Sequence, residues 1–281
     1  MVLYKKMNID GLQIFFREAG HPSNPTIILL HGFPSSSHMF RDLIPLLADR
    51  FHIIAPDYPG FGNSSMPAAA EFNYTFENLS LVMEKLIAML GISRYILYVH
   101  DYGGPIGFRL AVRNPQSIAG FVIQNAVINE KGLGEPFDLF KALWVDRNPT
   151  TEAAFAEFLT FDSTKKQYIT GVCQPYLISP DGYSIDQFFL DRPGNRQIQL
   201  DLGYDYRTNV EEYPVWQQYL RSYQPPVLVA WGKNDFIFTL EGAHFFSHLV
   251  NPIETCLLCG GHFVLEEKSQ QVSELIKRFY Q

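Results

Sequence analysis

The tetrapeptide His100-Asp101-Tyr102-Gly103 puts a carboxylate where a chain could turn sharply from a strand into a helix. An apolar, strand-like run from Tyr95 to Val99 precedes it, and a helix-like stretch follows. In such a turn, the nucleophile elbow, the central side chain stands exposed above a sheet. Serine is its usual occupant, but here the residue is Asp101. The motif therefore predicts that Asp101 is a nucleophile.

An aspartate nucleophile suits a different reaction from serine. Serine needs a base before it can attack, whereas a carboxylate is already ionised at neutral pH, and the helix N-terminus behind it favours the charged form. A carboxylate also suits attack on sp3 carbon. The residue type therefore points away from ordinary ester hydrolysis and towards opening an epoxide or displacing a halide.

A nucleophile elbow requires an acid and then a histidine, each on a loop after a later strand. Asp235 follows the apolar run Val227 to Ala230, and His262 follows the run Thr255 to Leu258, just after two glycines that free its loop. The order of nucleophile, acid and histidine predicts a catalytic triad of Asp101, Asp235 and His262.

The loop His31-Gly32-Phe33-Pro34 directly follows the apolar run Ile27 to Leu30. It can bring the Phe33 backbone N–H beside that of Tyr102, which makes a pair of donors for an oxyanion. In enzymes where one such donor has been removed, the activation free energy rises by roughly 3 kcal/mol. We expect His31 to hold this loop through a hydrogen bond rather than to act as a base or metal ligand.

Other residues could carry competing chemistry. Glu130 or Asp138 is an alternative acid, because some proteins with such an elbow take their acid after the preceding strand. His244 and His248 have the spacing of a metal pair on a helix, but no third ligand is in view. The G-x-G within residues 57–64 lacks the helix start of a dinucleotide site, so we expect a structural turn.

The composition is that of an ordinary globular protein. A length of 281 residues with 47% hydrophobic residues suffices for one large α/β domain or a core with an insertion. No long apolar run follows Met1, so we expect neither a secretory signal nor a transmembrane helix, and cytoplasm is the default location. The net charge of −7 is spread without a basic stripe, which disfavours nucleic-acid and anionic-membrane partners.

The three cysteines, Cys173, Cys256 and Cys259, are odd in number. The C-x-x-C pair lies at an apolar run that lacks the turn or helix start of a redox motif. We therefore expect the cysteines to pack in the core.

Short β-rich runs and helix-like stretches alternate along the first part of the chain. This β-α-β rhythm predicts a doubly wound parallel sheet. The expected strands are Gln13 to Arg17, Thr26 to Leu30, His52 to Ala55, Tyr95 to Val99, Phe121 to Gln124, Val227 to Trp231 and Thr255 to Leu258, and the expected helices are Phe40 to Leu47, Phe76 to Leu90 and Lys268 to Tyr280. Aromatic-rich helical pieces broken by prolines interrupt the rhythm, so we predict a core at 1–128 and 224–281 with a helical cap at 129–223.

With these elements the chain resembles the epoxide hydrolase and haloalkane dehalogenase branch of the α/β-hydrolase fold, from about Gly11 to Tyr280. The motifs that carry the resemblance are H-G-F-P, D-Y-P-G-F-G-N-S, H-D-Y-G-G, W-G-K-N-D and G-G-H-F. The resemblance implies a mostly parallel doubly wound sheet with an inserted helical cap. It implies hydrolysis through an alkyl-enzyme ester on Asp101, with no metal or organic cofactor.

Two departures distinguish this chain from the halide-releasing members. Dehalogenases typically have Trp after the nucleophile and Asn after His-Gly, where this chain has Tyr102 and Phe33; the haloacid branch has arginine at the positions of Tyr102 and Pro105. Trp144 or other cap residues could substitute as halide ligands. We therefore expect an epoxide hydrolase, with a haloalkane or haloacid dehalogenase, an esterase or lactonase using Asp101, and a non-catalytic small-molecule receptor as alternatives.

Epoxide hydrolases use cap tyrosines that donate a hydrogen bond to the epoxide oxygen as its C–O bond breaks. Tyr206 matches the family's Tyr-Arg element, and Tyr168 is the candidate for the second donor. The alternatives are Tyr176, Tyr183 and Tyr204. The resemblance and the aromatic cap imply a small apolar substrate, contacted by Phe33, Tyr102 and Trp144, and a monomer or homodimer.

Overall fold

Eight strands form one sheet in the computed structural model, which describes residues 1–281. The strands are β1 (Leu3–Ile9), β2 (Leu12–Ala19), β3 (Thr26–Leu30), β4 (His52–Pro56), β5 (Tyr95–His100), β6 (Ile118–Gln124), β7 (Val227–Gly232) and β8 (Ile253–Leu258). Their order is β1-β2-β4-β3-β5-β6-β7-β8. β1 and β2 pair antiparallel at one edge, and all pairs from β4 to β8 are parallel.

Eleven α-helices connect and cover the strands. They are α1 (Leu43–Leu47), α2 (Phe76–Met89), α3 (Gly103–Arg113), α4 (Phe137–Val145), α5 (Pro149–Ala156), α6 (Phe161–Ile169), α7 (Pro180–Leu190), α8 (Asn195–Asp205), α9 (Arg207–Tyr223), α10 (Leu240–Phe245) and α11 (Leu265–Phe279). Helices α4 to α9 lie consecutively between β6 and β7, which is the part of the chain expected to form the cap.

The central strand β5 shows why the parallel strands appear in the sequence as continuous apolar runs. All six of its residues are buried. Leu97 and Val99 pack into one hydrophobic cluster, while Ile96 and Tyr98 pack into a second one. Because helices cover both faces of the sheet, neither alternate set needs to be polar. The predicted doubly wound, mostly parallel sheet is confirmed.

The edge strand β1 was absent from the sequence prediction. Its first four residues are exposed, and Lys5 and Lys6 are among them. An edge strand with one solvated side carries no apolar run, so the apolar pattern could not indicate β1. Lysines on such an edge also discourage pairing with another chain. None of the helices is both long and apolar enough to cross a membrane.

The cysteine prediction was wrong for two of the three residues. Cys173, between α6 and α7, forms a disulfide with Cys259, just after β8, and only Cys256 is free. The partners are 86 residues apart in sequence, so local spacing could not reveal the pair. Disulfides persist mainly in oxidising compartments, so this bond weighs against the cytoplasmic default, which stays a prediction.

The disulfide joins the segment between α6 and α7 to the loop after β8 that holds His262. A nearby carboxylate reinforces the junction, because the backbone N–H groups of Cys173 and Gln174 donate to Glu267 Oε1 over 3.0 and 2.5 Å. The segment after α6 is therefore tied to the sheet close to the histidine expected to act as base.

We predict that Cys259→Ser lowers the free energy of unfolding. Closing a loop of 86 residues restricts the unfolded chain, and in the chain-entropy treatment the loss amounts to about 4.5 kcal/mol. Urea unfolding without reductant measures it, with Cys256→Ser as the matched control that should unfold near the wild-type midpoint. Equal midpoints for Cys259→Ser and wild type would mean that the disulfide does not form in solution.

Candidate active site

The chain reverses between β5 and α3 at Asp101, which has a φ of +48°. This left-handed conformation costs about 1–3 kcal/mol for a residue other than glycine. Neighbouring glycines make the turn possible. A Cβ on Gly103 would lie 2.1 Å from the Leu30 carbonyl oxygen, and one on Gly32 would lie 2.4 Å from Asp101 Cβ. The carboxylate is thus presented at the end of the central strand.

Two backbone N–H groups point at one oxygen of the Asp101 carboxylate. The N–H of Phe33 donates to Oδ1 over 2.7 Å, and that of Tyr102 donates to the same atom over 2.6 Å. The other oxygen, Oδ2, accepts no hydrogen bond from the protein. One oxygen is therefore fixed while the other is free to react, and the fixed one would become the carbonyl oxygen of an ester formed at Oδ2.

Burial changes the acidity of Asp101. It raises the pKa of this carboxyl from 3.8 to about 6, although the charge of His262 and the two N–H donors oppose the rise. The cause is lost hydration, which penalises the charged form. The hydrogen bonds are therefore outweighed by burial in setting the pKa of Asp101. From the sequence only the helix N-terminus was considered, and it favours the charged form. The carboxylate is ionised at neutral pH but becomes protonated as the pH falls below about 6.

His262 and Asp235 form a buried acid–base pair. His262 Nδ1 lies 2.8 Å from Asp235 Oδ2, and both side chains are fully buried. Burial by itself lowers the pKa of His262, but the charge and hydrogen bond of Asp235, together with the charge of Asp101, raise it above its usual value. His262 Nε2 has no partner in the protein. This nitrogen is free to take a proton from a water molecule.

Asn125, directly after β6, connects Asp101 to Asp235. Its carbonyl oxygen accepts the Asp101 N–H over 3.2 Å, and its Nδ2 donates to Asp235 Oδ2 over 2.8 Å. Its Oδ1 accepts the Gly232 N–H over 2.9 Å. The sequence reasoning missed this residue. The available signal was its place after a buried strand, at the sheet edge where the other site residues lie.

The alternative acids do not approach His262. Glu130 is exposed, and the Asp138 side chain is 76% exposed and pairs with Lys141 at 3.6 Å. Asp235 is therefore the carboxylate that the structure brings to His262.

Two further histidines are buried near the site. The His31 ring stacks on Tyr58 with centroids 4.0 Å apart, and the Tyr58 hydroxyl donates to the His31 carbonyl over 2.9 Å. Burial lowers the pKa of His31 to about 3, so the ring stays neutral and holds the loop before Phe33. The His100 ring lies 4.6 Å from that of His262, and burial, with the charge of His262, holds its pKa well below the usual value.

A small, mostly aromatic cavity adjoins Asp101. Its lining consists of Phe33, Asp101, Tyr102, Phe137, Phe140, Phe158, Gln167 and Ile237. Only about 10 Å³ is open to the centre of a water molecule, which is about the space that one water needs. Phe33 and Tyr102, both predicted to contact substrate, belong to this lining. The cavity favours an apolar molecule, and its side chains must move to admit one.

An open depression of about 550 Å³ lies on the outer side of Phe158, which lines both spaces. Its rim is acidic. The carboxylates are those of Glu135, Asp138, Glu157 and Asp162, and the cation among the lining residues is Lys166. The excess of negative charge opposes the approach of anions to this depression.

Tyr206 lies behind the cavity lining. Its ring centroid is 6.0 Å from that of Tyr102 and 5.0 Å from that of Phe137. Burial raises its pKa well above 10, with the Tyr213 hydroxyl and the charge of Asp101 adding to the rise, so the phenol stays protonated. Trp144 stacks on Tyr206 with centroids 6.0 Å apart and donates its indole N–H to the Gly203 carbonyl over 2.7 Å. Trp144 is not part of the lining.

The structure does not bring Tyr168 into the cavity. Its ring stacks on Phe263 with centroids 4.0 Å apart, and its hydroxyl donates to Asp186 over 2.5 Å. The neighbouring Gln167 lines the cavity instead, and the sequence reasoning missed it. The alternative tyrosines Tyr176, Tyr183 and Tyr204 are also absent from the lining, and Tyr176 is 81% exposed.

No group of three or more His, Cys, Asp or Glu side chains is arranged to hold a metal ion. The site presents Asp101 Oδ2, which accepts no hydrogen bond from the protein, and the unpaired His262 Nε2.

Residues 25–269 match the family model described as the alpha/beta hydrolase fold. An uncharacterised hydrolase of Saccharomyces cerevisiae is 41% identical, over 95% of this chain and 93% of its own. A cis-3-alkyl-4-alkyloxetan-2-one decarboxylase of Shewanella oneidensis is 29% identical, over 90% of this chain and 81% of its own. Epoxide hydrolase 3 of Xenopus tropicalis is 25% identical, over 98% and 77%.

The solved structure of haloalkane dehalogenase DbeA from Bradyrhizobium elkani superposes with a TM-score of 0.82. The match covers 100% of this chain and 99% of that one, at 22% identity. A likeness at this identity establishes the fold.

Proposed function

The chain belongs to the α/β-hydrolase family, and from this premise we propose that it is an epoxide hydrolase that works through a covalent ester on Asp101. The observation that carries the proposal is the state of the carboxylate. Oδ1 is held by two N–H donors, while Oδ2 is free beside an apolar cavity. A carboxylate so held attacks sp3 carbon and, once esterified, already has its carbonyl oxygen in an oxyanion site.

In the first step Asp101 Oδ2 attacks the less hindered carbon of the epoxide. A new C–O bond forms, the ring C–O bond breaks, and its electron pair goes to the epoxide oxygen. Tyr206 packs against Tyr102 and Phe137 of the lining, and it gives that oxygen its phenolic proton once the lining side chains have moved to admit the epoxide. Its raised pKa keeps the phenol protonated in the free enzyme. The result is an alkyl ester on Asp101 that carries a neighbouring hydroxyl group.

In the second step His262 Nε2 takes a proton from a water molecule that attacks the ester carbonyl. Negative charge develops on Oδ1, which the N–H groups of Phe33 and Tyr102 already hold. The intermediate collapses and expels the diol oxygen, which takes the proton from His262. Asp101 is left as the free acid, and its proton returns to the Tyr206 phenolate. One epoxide and one water thus give one vicinal diol.

Halide chemistry has less support from the side chains present. The Trp144 N–H already donates to the Gly203 carbonyl, so it is not free for a halide. The cavity lining also contains no arginine or lysine that could hold the carboxylate of a haloacid. A haloalkane dehalogenase, an Asp101 lactonase and a receptor remain the outcomes that experiment must separate.

We predict that His262→Gln traps the ester. Attack by Asp101 needs no base, but hydrolysis does, so incubation with aryl and alkyl epoxides should add the whole epoxide mass to Asp101. Intact-protein mass spectrometry and peptide mapping measure the adduct, and the double variant with Asp101→Ala should form none. Asp138→Asn, made in the otherwise wild-type enzyme, is the matched control for the alternative acid. It should hydrolyse epoxides at the wild-type rate.

The same experiment with bromoalkanes separates the rival reactions. An alkyl adduct without bromine, formed from bromoalkanes and not from epoxides, would move the assignment to dehalogenase. If folded His262→Gln forms no adduct with either class, the covalent proposal is wrong.

We predict that the rate of adduct formation decreases on acidification at a higher pH than is usual for an aspartate. Asp101 must be ionised to attack, and burial raises its pKa to about 6, so the rate should be lost as the pH falls through that value rather than through 3.8. In His262→Gln the midpoint should lie at or above that value, because the charge that lowered the pKa is gone. Single-turnover rates between pH 4.5 and 8 measure it, and a midpoint near 4 would contradict the buried carboxylate.

A further inference from the structure

The Gln167 side chain on α6 faces the cavity without any partner. It is 1% exposed, and neither its Nε2 nor its Oε1 has a hydrogen bond within the protein. The other residues of the lining, apart from Asp101, are aromatic or aliphatic. A buried polar group left unpaired costs about 1–3 kcal/mol, so this amide lowers stability unless a ligand pairs with it.

The geometry of α6 explains why Gln167 and not Tyr168 faces the cavity. Consecutive residues on a helix point about 100° apart, so the two side chains face different surroundings although both are buried. Tyr168 is turned away, stacked on Phe263 and bonded to the buried Asp186. The position that the sequence reasoning gave to a second tyrosine is therefore occupied by a carboxamide.

We propose that Gln167 is the second donor to the leaving oxygen: its Nε2–H donates to the epoxide oxygen while Asp101 Oδ2 attacks the ring carbon. The proposal rests on the epoxide hydrolase function above. Gln167 transfers no proton, because a carboxamide is not an acid; it stabilises the negative charge that develops before Tyr206 protonates the oxygen. Once protonated, the new hydroxyl donates to Oε1, so one substrate oxygen satisfies both unpaired atoms in turn.

The test compares adduct formation in His262→Gln with that in His262→Gln/Gln167→Met. Methionine has nearly the length of glutamine but offers no N–H, so the rate with a given epoxide should fall about 100-fold, as when one oxyanion donor is removed. Lys165→Met in the His262→Gln background is the matched control, because Lys165 lies on the same helix but outside the cavity lining. It should form the adduct at the same rate as His262→Gln alone.

A second measurement separates a donor from a packing residue. With His262 intact, Gln167→Met should hydrolyse the preformed ester at a rate within threefold of wild type, because Gln167 does not contact the ester carbonyl. It should also unfold at the same or a higher urea concentration, since an unpaired amide has been removed. Loss of stability together with equal slowing of both steps would show a packing role and overturn the inference.

The outcomes distinguish this inference from the function on which it rests. If His262→Gln itself forms no epoxide adduct, the proposed function fails and the role of Gln167 fails with it. If His262→Gln and His262→Gln/Gln167→Met form the adduct at the same rate, the function stands and only the donor role is overturned.

Discussion

The rest of the site depends on the two hydrogen bonds from the Phe33 and Tyr102 N–H groups to Asp101 Oδ1. Burial opposes ionisation of this carboxyl, and these donors, with the charge of His262, keep it ionisable near neutral pH. They also fix which oxygen is free. In the proposed mechanism the same two donors would hold the negative charge of the second step, so one arrangement would prepare Asp101 for attack and its ester for hydrolysis.

The fold supports that interaction at a definite cost. Asp101 adopts a left-handed conformation that costs about 1–3 kcal/mol, and glycines on the neighbouring segments leave room for it. Asn125 compensates by bonding both the Asp101 backbone and the Asp235 carboxylate. Asp101 and Asp235 are therefore linked through Asn125 at the end of the buried strand β6. Gln167 adds a further cost, an unpaired amide, that only a bound substrate would offset.

The sequence was informative where chemistry follows a buried strand. Asp101, Asp235 and His262 each come within a few residues of the end of an apolar run, so the sheet edge that gathers them could be predicted without coordinates. The residues between β6 and β7 form helices and no strands, so no comparable rule predicts which of their side chains meet. Whether Gln167 or Tyr168 faces inward depends on the rotation of α6, and the partner of Cys259 depends on where the segment after α6 crosses the core. Both are long-range packing outcomes that local spacing does not encode.

The central claim, that water attacks the ester carbonyl and not the substrate carbon, is tested most directly by a single turnover in H₂¹⁸O with enzyme in excess over epoxide. The account predicts a first-turnover diol without ¹⁸O, because its second oxygen comes from Asp101 Oδ2, and a gain of ¹⁸O in the peptide that contains Asp101. A first-turnover diol that carries ¹⁸O, with an unlabelled Asp101 peptide, would contradict the account.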